Sequence, residues 1–242
     1  MPRPLPVVVL ASFVYTGFLF VSALAWAVLI IAAAPFLPVH RLYALPRSWA
    51  RLQLAALRFL CGLDYTVAGL ERIPPGCHVS LWKHSSAWET IAQMLIFPPQ
   101  SWVLKRELLW LPMIGWATRQ LKPIAINREA RGTAVAQVVS HGRQRLAEGL
   151  WVLVFPEGTR VPVGTTRRFG ISGALLAVEA GCLIVPVAHN AGLYWGRRAL
   201  FKKPGRIRVV IGPPIVTSGR DPREVNEEAR AWIENEVRAL GA

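Results

Sequence analysis

The apolar and polar positions divide the chain into two textures. From Val7 to Ala34 no residue is charged, a run of about 28 residues where a helix needs roughly 20 to cross the bilayer core. Pro35 and Pro38 break it, and a second helical segment begins near His40. There Arg47, Arg51 and Arg58 fall within about 40° of one another on a helical wheel. Leu45, Trp49, Leu52, Leu57 and Leu60 supply apolar surface around them. Beyond Asp64, short apolar runs alternate with longer mixed segments. The runs predict strands at 78–82, 102–104, 123–126, 151–155, 183–188 and 207–211. Between them, Val135, Val138, Val139 and Leu146 recur at helical spacing over Gly132–Ala147, and Ser172–Ala180 is a second helix candidate. D-P-R-E at 221–224 opens a last helix, with Asp221 as cap, Pro222 at the first position and Glu224 placed for a capping box. Val225, Ala229, Trp232 and Val237 give it one apolar stripe, and Gly241 ends it. Strands separated by helices imply an α/β fold with a mixed, largely parallel sheet flanked by helices. It follows an N-terminal apolar membrane-attaching helix or two-helix hairpin. The expected division is 1–62 for the attaching segment and 63–242 for the α/β domain.

Composition sharpens the first texture. The formal net charge is +14, with Lys and Arg outnumbering Asp and Glu 28 to 14, which favours a polyanionic partner. No zinc-finger spacing, basic heptad region or RNA-binding aromatic pattern is present, so nucleic acid is not expected. The cations accompany apolar stretches instead, and no acid precedes Asp64, which suits an anionic membrane surface. Basic residues after the apolar run place the downstream domain on the cytoplasmic side. A cleaved signal peptide is a competing account, although signal cores run only about 7–15 residues; a buried core helix is another. Cys61, Cys77 and Cys182 lie far apart, which disfavours a disulfide framework or a zinc site.

Polar clusters follow four of the expected strands: Lys83–Glu89, Asn127-Arg128, P-E-G-T-R at 156–160 and His189-Asn190. In parallel α/β sheets such clusters gather at one edge, where these folds bind ligands. His84 and Glu89 are five residues apart, about 140° around a continuous helix, so they meet only if His84 lies at or before a helix start. Ser85 and Ser86 are cap candidates there. In that geometry the carboxylate fixes one imidazole nitrogen and leaves the other as a general base. No G-x-S-x-G and no suitably placed cysteine supplies a nucleophile, so the pair fits direct attack by a substrate hydroxyl. Arg128 and Arg160 end strand-and-turn units where guanidinium groups can clamp phosphate. Gly158 permits a tight turn, and Glu157 is placed to orient substrate hydroxyls or buttress an arginine. The plainer alternative for any one of these residues is a surface ion pair.

These stretches, in order, resemble the four blocks of the glycerolipid acyltransferase family, in particular its 1-acyl-glycerol-3-phosphate acyltransferases. K-H-S-S-A-W-E resembles the H-x4-D block, and K-R-E-L-L-W-L-P-M-I-G-W running on to P-I-A-I-N-R resembles the second. F-P-E-G-T-R at 155–160 resembles the third and is the most specific; I-V-P-V-A-H-N-A-G resembles the fourth. The resemblance covers roughly 60–215. It implies transfer of a fatty acyl group from acyl-CoA or acyl-carrier protein to the sn-2 hydroxyl of lysophosphatidic acid, giving phosphatidic acid, with no metal or other cofactor. By the same resemblance His84 is the base and Glu89 its partner. Arg128, Glu157, Gly158, Thr159 and Arg160 form the acceptor site, and Lys105 assists it. It also implies attachment to a bacterial-type inner membrane with the catalytic domain facing the cytoplasm. An acyltransferase for another lysolipid and a non-catalytic membrane-binding homologue are the alternatives.

Three departures stand out. Glu89 replaces the family Asp and is one methylene longer. Gly170 occupies the place of a common basic residue, near Arg167 and Arg168, and Lys122 replaces a common glycine. Lys202, Lys203, Arg206 and Arg208 form a basic cluster suited to CoA phosphates, an acidic carrier protein or anionic lipid.

Overall fold

The computed structural model describes residues 4–127 and 131–242. Arg128 therefore lies outside the described residues. The apolar run forms α1 (Leu5–Ala33), followed by the short α2 (Val39–Leu42) and then α3 (Ala44–Ala56), which runs on through one wider π turn at Leu57–Cys61. Gly62 closes that turn in the left-handed region at φ 65°. The α/β part then reads β1 (Leu63–Ala68), β2 (Val79–Trp82), α4 (Trp88–Ile96), β3 (Gln100–Lys105), α5 (Ile114–Gln120), β4 (Ile124–Ile126), α6 (Arg131–Ala147), β5 (Trp151–Val154), α7 (Ser172–Ala180), β6 (Ile184–His189), β7 (Gly205–Ile211) and α8 (Pro222–Ala239).

The seven strands form one sheet in the order β1-β7-β6-β2-β5-β3-β4. Only the β6–β7 pairing is antiparallel, so the expected mixed, largely parallel sheet is the one observed. β2, β5 and β6 are buried at every position, as strands covered on both faces must be. Alternate side chains feed two cores: Trp151 and Leu153 pack toward α1, α3 and α4, while Val152 and Val154 pack toward α6, α7 and α8. The sequence reading omits β1, α4 as a defined helix, and α5. β1 is an edge strand whose Leu63, Tyr65 and Val67 alternate with Asp64 and Thr66, a short and half-polar signal. At the last helix, the Asp221 carboxylate accepts from the Arg223 N–H, and Gly241 takes φ 76° just past the end.

α1 and α3 pair antiparallel. Gln53 donates to the Ser22 hydroxyl at 2.7 Å, the Trp26 indole donates to Ser48 at 2.9 Å, and Cys61 lies against the Ala11 carbonyl. The expected boundary at 62/63 falls at the start of β1, but packing crosses it. Tyr15 meets Trp195 edge-to-face at 5.8 Å, and Ala27 and Ile30 share a core with Ala117 of α5 and Leu121 just after it. α1 is long and apolar enough to cross a membrane, and only 17% of its most apolar window is buried, which removes the core-helix alternative.

Candidate active site

β2, β3, β4, β5 and β6 run the same way, so their C-terminal ends meet at one edge. The chain leaves β2 as Lys83-His84-Ser85-Ser86 and turns into α4, whose second residue is Glu89. This turn solves the spacing problem, because His84 precedes the helix. His84 Nδ1 lies 2.9 Å from Glu89 Oε1. The same oxygen accepts the backbone N–H groups of Ser85 at 2.9 Å and Ser86 at 2.8 Å. Ser86 in turn caps α4 through its hydroxyl, which accepts the Trp88 N–H at 3.0 Å. Phe155 stacks on the His84 ring at 4.0 Å, fixing its plane.

Glu89 is wholly buried. Burial pushes its carboxyl toward the neutral form, but the His189 imidazole, the His84 hydrogen bond and the Ser86 N–H outweigh that, and its pKa lies below the usual carboxylate value. With Nδ1–H donated to a carboxylate, His84 keeps Nε2 bare. His84 lines a cavity of about 770 Å³ together with Phe155, Gly158, Thr159, Arg160 and Lys105.

The third block forms the facing wall. Glu157 is buried, and both of its oxygens are engaged: Oε1 contacts Lys83 Nζ at 2.5 Å and Oε2 accepts the His84 N–H at 2.8 Å. Desolvation raises the Glu157 pKa against the pull of Lys83. The structure thus turns Glu157 toward the backbone of the turn that carries His84 rather than toward the cavity. Val161 N–H donates to the His84 carbonyl at 2.8 Å, stitching the two loops together. Gly158 has φ 69°, and an added Cβ would meet nothing within 4 Å, so backbone conformation, not space, calls for glycine. Arg160 Nε is buried with no hydrogen-bond partner among the described residues, a donor in the cavity wall. Lys105, the last residue of β3, is exposed at the mouth.

From this polar mouth the cavity runs inward between α1, α3, α4, β3 and α5. Ala23, Trp26 and Ile30 line one wall, Ile91 and Met94 another, and Ala117 and Leu121 a third. Among the described residues it joins the apolar helices to the sheet edge. Arg197 and Arg198 also line its mouth, and the sequence reading does not single them out. Lys83 and Phe155 likewise act only through contacts between distant segments.

An acyltransferase family model matches residues 64–190. The chain belongs to the acyltransferase family. Over 216 residues it is 45% identical to the 1-acyl-sn-glycerol-3-phosphate acyltransferase of Pseudomonas aeruginosa, covering 88% of this chain and 84% of that protein. It is 31% identical over 179 residues to the 1-acyl-sn-glycerol-3-phosphate acyltransferase alpha of Mus musculus, covering 72% of this chain and 63% of that protein's length. In fold, this acyltransferase matches the crystal structure of the 1-acyl-sn-glycerophosphate (LPA) acyltransferase of Thermotoga maritima, with a TM-score of 0.80, 19% identity and coverage of 96% and 95% of the two chains.

The three departures from the family pattern have local accounts. Glu89 reaches His84 because the turn sets the helix start one residue before it. Lys122 takes φ 54°, the left-handed region where glycine is the easy choice. Its Nζ contacts Glu148 at 2.9 Å, and its carbonyl accepts from Ser101 and Arg145. Gly170 donates its N–H to the Pro156 carbonyl at 2.8 Å, while the exposed Arg167 and Arg168 do not line the cavity. In the basic cluster, Lys202 is not a surface cation. It is 1% exposed and donates to the Ser12 carbonyl and the Thr16 hydroxyl of α1, between the Tyr15 and Trp195 rings.

Proposed function

We propose that this acyltransferase moves a fatty acyl group from a thioester donor, acyl-CoA or acyl-carrier protein, to the sn-2 hydroxyl of 1-acyl-glycerol-3-phosphate. The observation that carries the reading is the continuity of one cavity: a bare imidazole nitrogen and a buried guanidinium N–H with no partner among the described residues at one end, and an apolar groove beyond them. Its volume lies within the usual range for small-molecule sites.

In this reading His84 Nε2 takes the proton of the acceptor hydroxyl as its oxygen attacks the thioester carbonyl. The tetrahedral intermediate collapses, the C–S bond breaks, and the departing thiolate takes the proton back from the imidazolium. Glu89 stays ionised throughout and supports the transient cation. Arg160, with Arg197 and Arg198 nearby, receives the acceptor phosphate. Glu157 and Lys83 hold the catalytic turn, and Gly158 and Thr159 shape the wall beside the hydroxyl.

The membrane surface is the second substrate surface. Phe13, Phe20, Val21 and Leu24 of α1 are exposed, as are Phe36 and Phe59. Trp110, Leu111 and Trp116 form a neighbouring exposed patch beside Arg106 and Arg119, and α5 joins that patch to α1. The α/β domain grips α1 at Tyr15 and again at Ile30, roughly 22 Å apart at about 1.5 Å per residue. That grip along the helix supports an arrangement in which α1 and α3 enter one leaflet as a hairpin, and the basic residues after α1 support a domain on the cytoplasmic face. Removal of α1 as a signal peptide would strip Tyr15 from the core and leave Lys202 without its partners.

The test is an acceptor and donor panel with purified protein in anionic vesicles. Fast acylation of 1-acyl-glycerol-3-phosphate over lysophosphatidylcholine and lysophosphatidylethanolamine is expected. Preference for a lysolipid without a terminal phosphate would overturn the acceptor assignment.

A further inference from the structure

The two oxygens of Glu89 are treated unequally. Oε1 serves His84, Ser85 and Ser86, whereas Oε2 is buried and has no hydrogen-bond partner among the described residues. The group facing it is the ring of His189, whose Nε2 lies 3.8 Å away. His189 is wholly buried at the end of β6, where register pairs it with Val209 of β7. Two backbone contacts define its tautomer. Nδ1 accepts the Ala191 N–H at 3.2 Å, so Nε2 carries the proton and donates it to the Lys83 carbonyl at 2.9 Å. Trp82 and Trp88 flank the ring at 6.5 and 6.1 Å.

We propose that His189 is a positioning residue for the catalytic pair: its Nε2–H edge faces Glu89 Oε2 and holds the carboxylate in the orientation that aims Oε1 at His84. The inference rests on His84 acting as the general base. It also gives the longer acid a reason, since the extra methylene carries a second oxygen toward β6, which an aspartate at position 89 would not reach. By anchoring the Lys83 carbonyl, the same ring fixes the residue immediately before His84. Burial lowers the His189 pKa and keeps the ring neutral, so it supports the carboxylate as an N–H dipole and does not compete with His84 for its charge. The other charged groups around it are accounted for. Lys83 is paired with Glu157, and Glu234 and Arg238 of α8 line a cavity of about 110 Å³ that also touches His189.

The experiment compares kcat, acceptor KM and the pH profile of kcat/KM for the wild type, His189→Phe and His189→Gln in vesicles. His189→Phe is expected to lower kcat on the order of 10- to 100-fold, as when an outer-shell partner of a metal-bound ligand is removed, with acceptor KM unchanged. The acid limb should move to higher pH, because Glu89 loses a group that favours its ionised form. Glutamine restores an N–H near the Nε2 position and should recover most of both effects. With Glu89→Asp as background, the Phe substitution should cost far less. A folded His189→Phe variant with the wild-type acid limb overturns the proposal, as does a Gln variant no better than Phe. If the Phe variant fails to fold by thermal melt, His189→Asn replaces it, because its amide N–H sits at the other ring position. Equal acid limbs for Gln and Asn then overturn the proposal. Full activity in His84→Ala would instead remove the general-base reading, a separable result.

Discussion

The sheet edge and the N-terminal hairpin both bury polar groups, but they leave opposite surfaces behind. At the edge, charges and amides are paired: Lys83 with Glu157, His84 with Glu89, and Ser85 and Ser86 N–H with the same carboxylate. Among the described residues, Glu89 Oε2 and Arg160 Nε there have no hydrogen-bond partner, and His84 Nε2 and Arg160 face the cavity. In the hairpin, Ser12 and Thr16 meet Lys202, Ser22 accepts from Gln53, and Ser48 accepts from Trp26. What remains outward on α1 is apolar, while α3 and the turn after it also expose Arg51 and Arg58. The edge thus turns polar atoms toward the cavity and α1 turns apolar side chains outward; in the proposed function substrate meets the first and lipid the second.

The largest predicted effect tests the edge. His84→Ala removes the bare nitrogen while leaving Glu89 its two backbone donors. Acyl transfer should fall roughly a hundred- to ten-thousandfold, the usual worth of a positioned general base, with membrane association unchanged by vesicle flotation. Release from vesicles together with loss of activity would show that edge and hairpin are not separable.

The edge is the more legible of the two regions. Four apolar runs, each ending in a polar cluster, suffice to bring His84, Asn127, Glu157–Arg160 and His189 to one side once the strands run parallel. The individual orientations do not follow from the pattern. Glu157 and Arg160 sit three residues apart in one loop, yet the first turns inward to Lys83 and the second lines the cavity; only packing between β2 and β5 decides that. Lys202 reads as one of a surface cluster because its partners are 186 and 190 positions away in α1. His189 is visible as a polar residue after a strand, but its relation to Glu89 depends on the β6–β2 register. β1 escapes because an edge strand of six residues buries one face alone.

The hairpin is tested by reversing its outward texture. Val21 is 70% exposed on α1, so Val21→Asp should leave the detergent-solubilised fold intact. An aspartate at helix depth in a bilayer costs about 2.5–3.5 kcal/mol, so partitioning into vesicles should drop on the order of a hundredfold by flotation. Turnover of a dispersed short-chain acceptor should persist. Unchanged partitioning would mean that this face of α1 does not meet lipid, and that the apolar patch at Trp110–Trp116 holds the protein alone.

The smallest effect concerns Lys202, where the two regions join. Away from water its pKa is pushed down to about 8 from an ordinary 10.5. The folded state therefore binds fewer protons than the unfolded chain between those values, and stability from this group rises with pH across that window. Lys202→Met removes the titrating group while keeping its aliphatic volume between the Tyr15 and Trp195 rings. The difference in Tm between wild type and variant, measured from pH 7 to pH 10 in detergent, should drift in favour of the wild type as pH rises above about 8. A flat difference would mean that the ammonium is as well solvated by Ser12, Thr16 and the Leu200 carbonyl as it is by water. The contact would then be a hydrogen-bonded latch without an electrostatic cost, joining hairpin and domain by geometry alone.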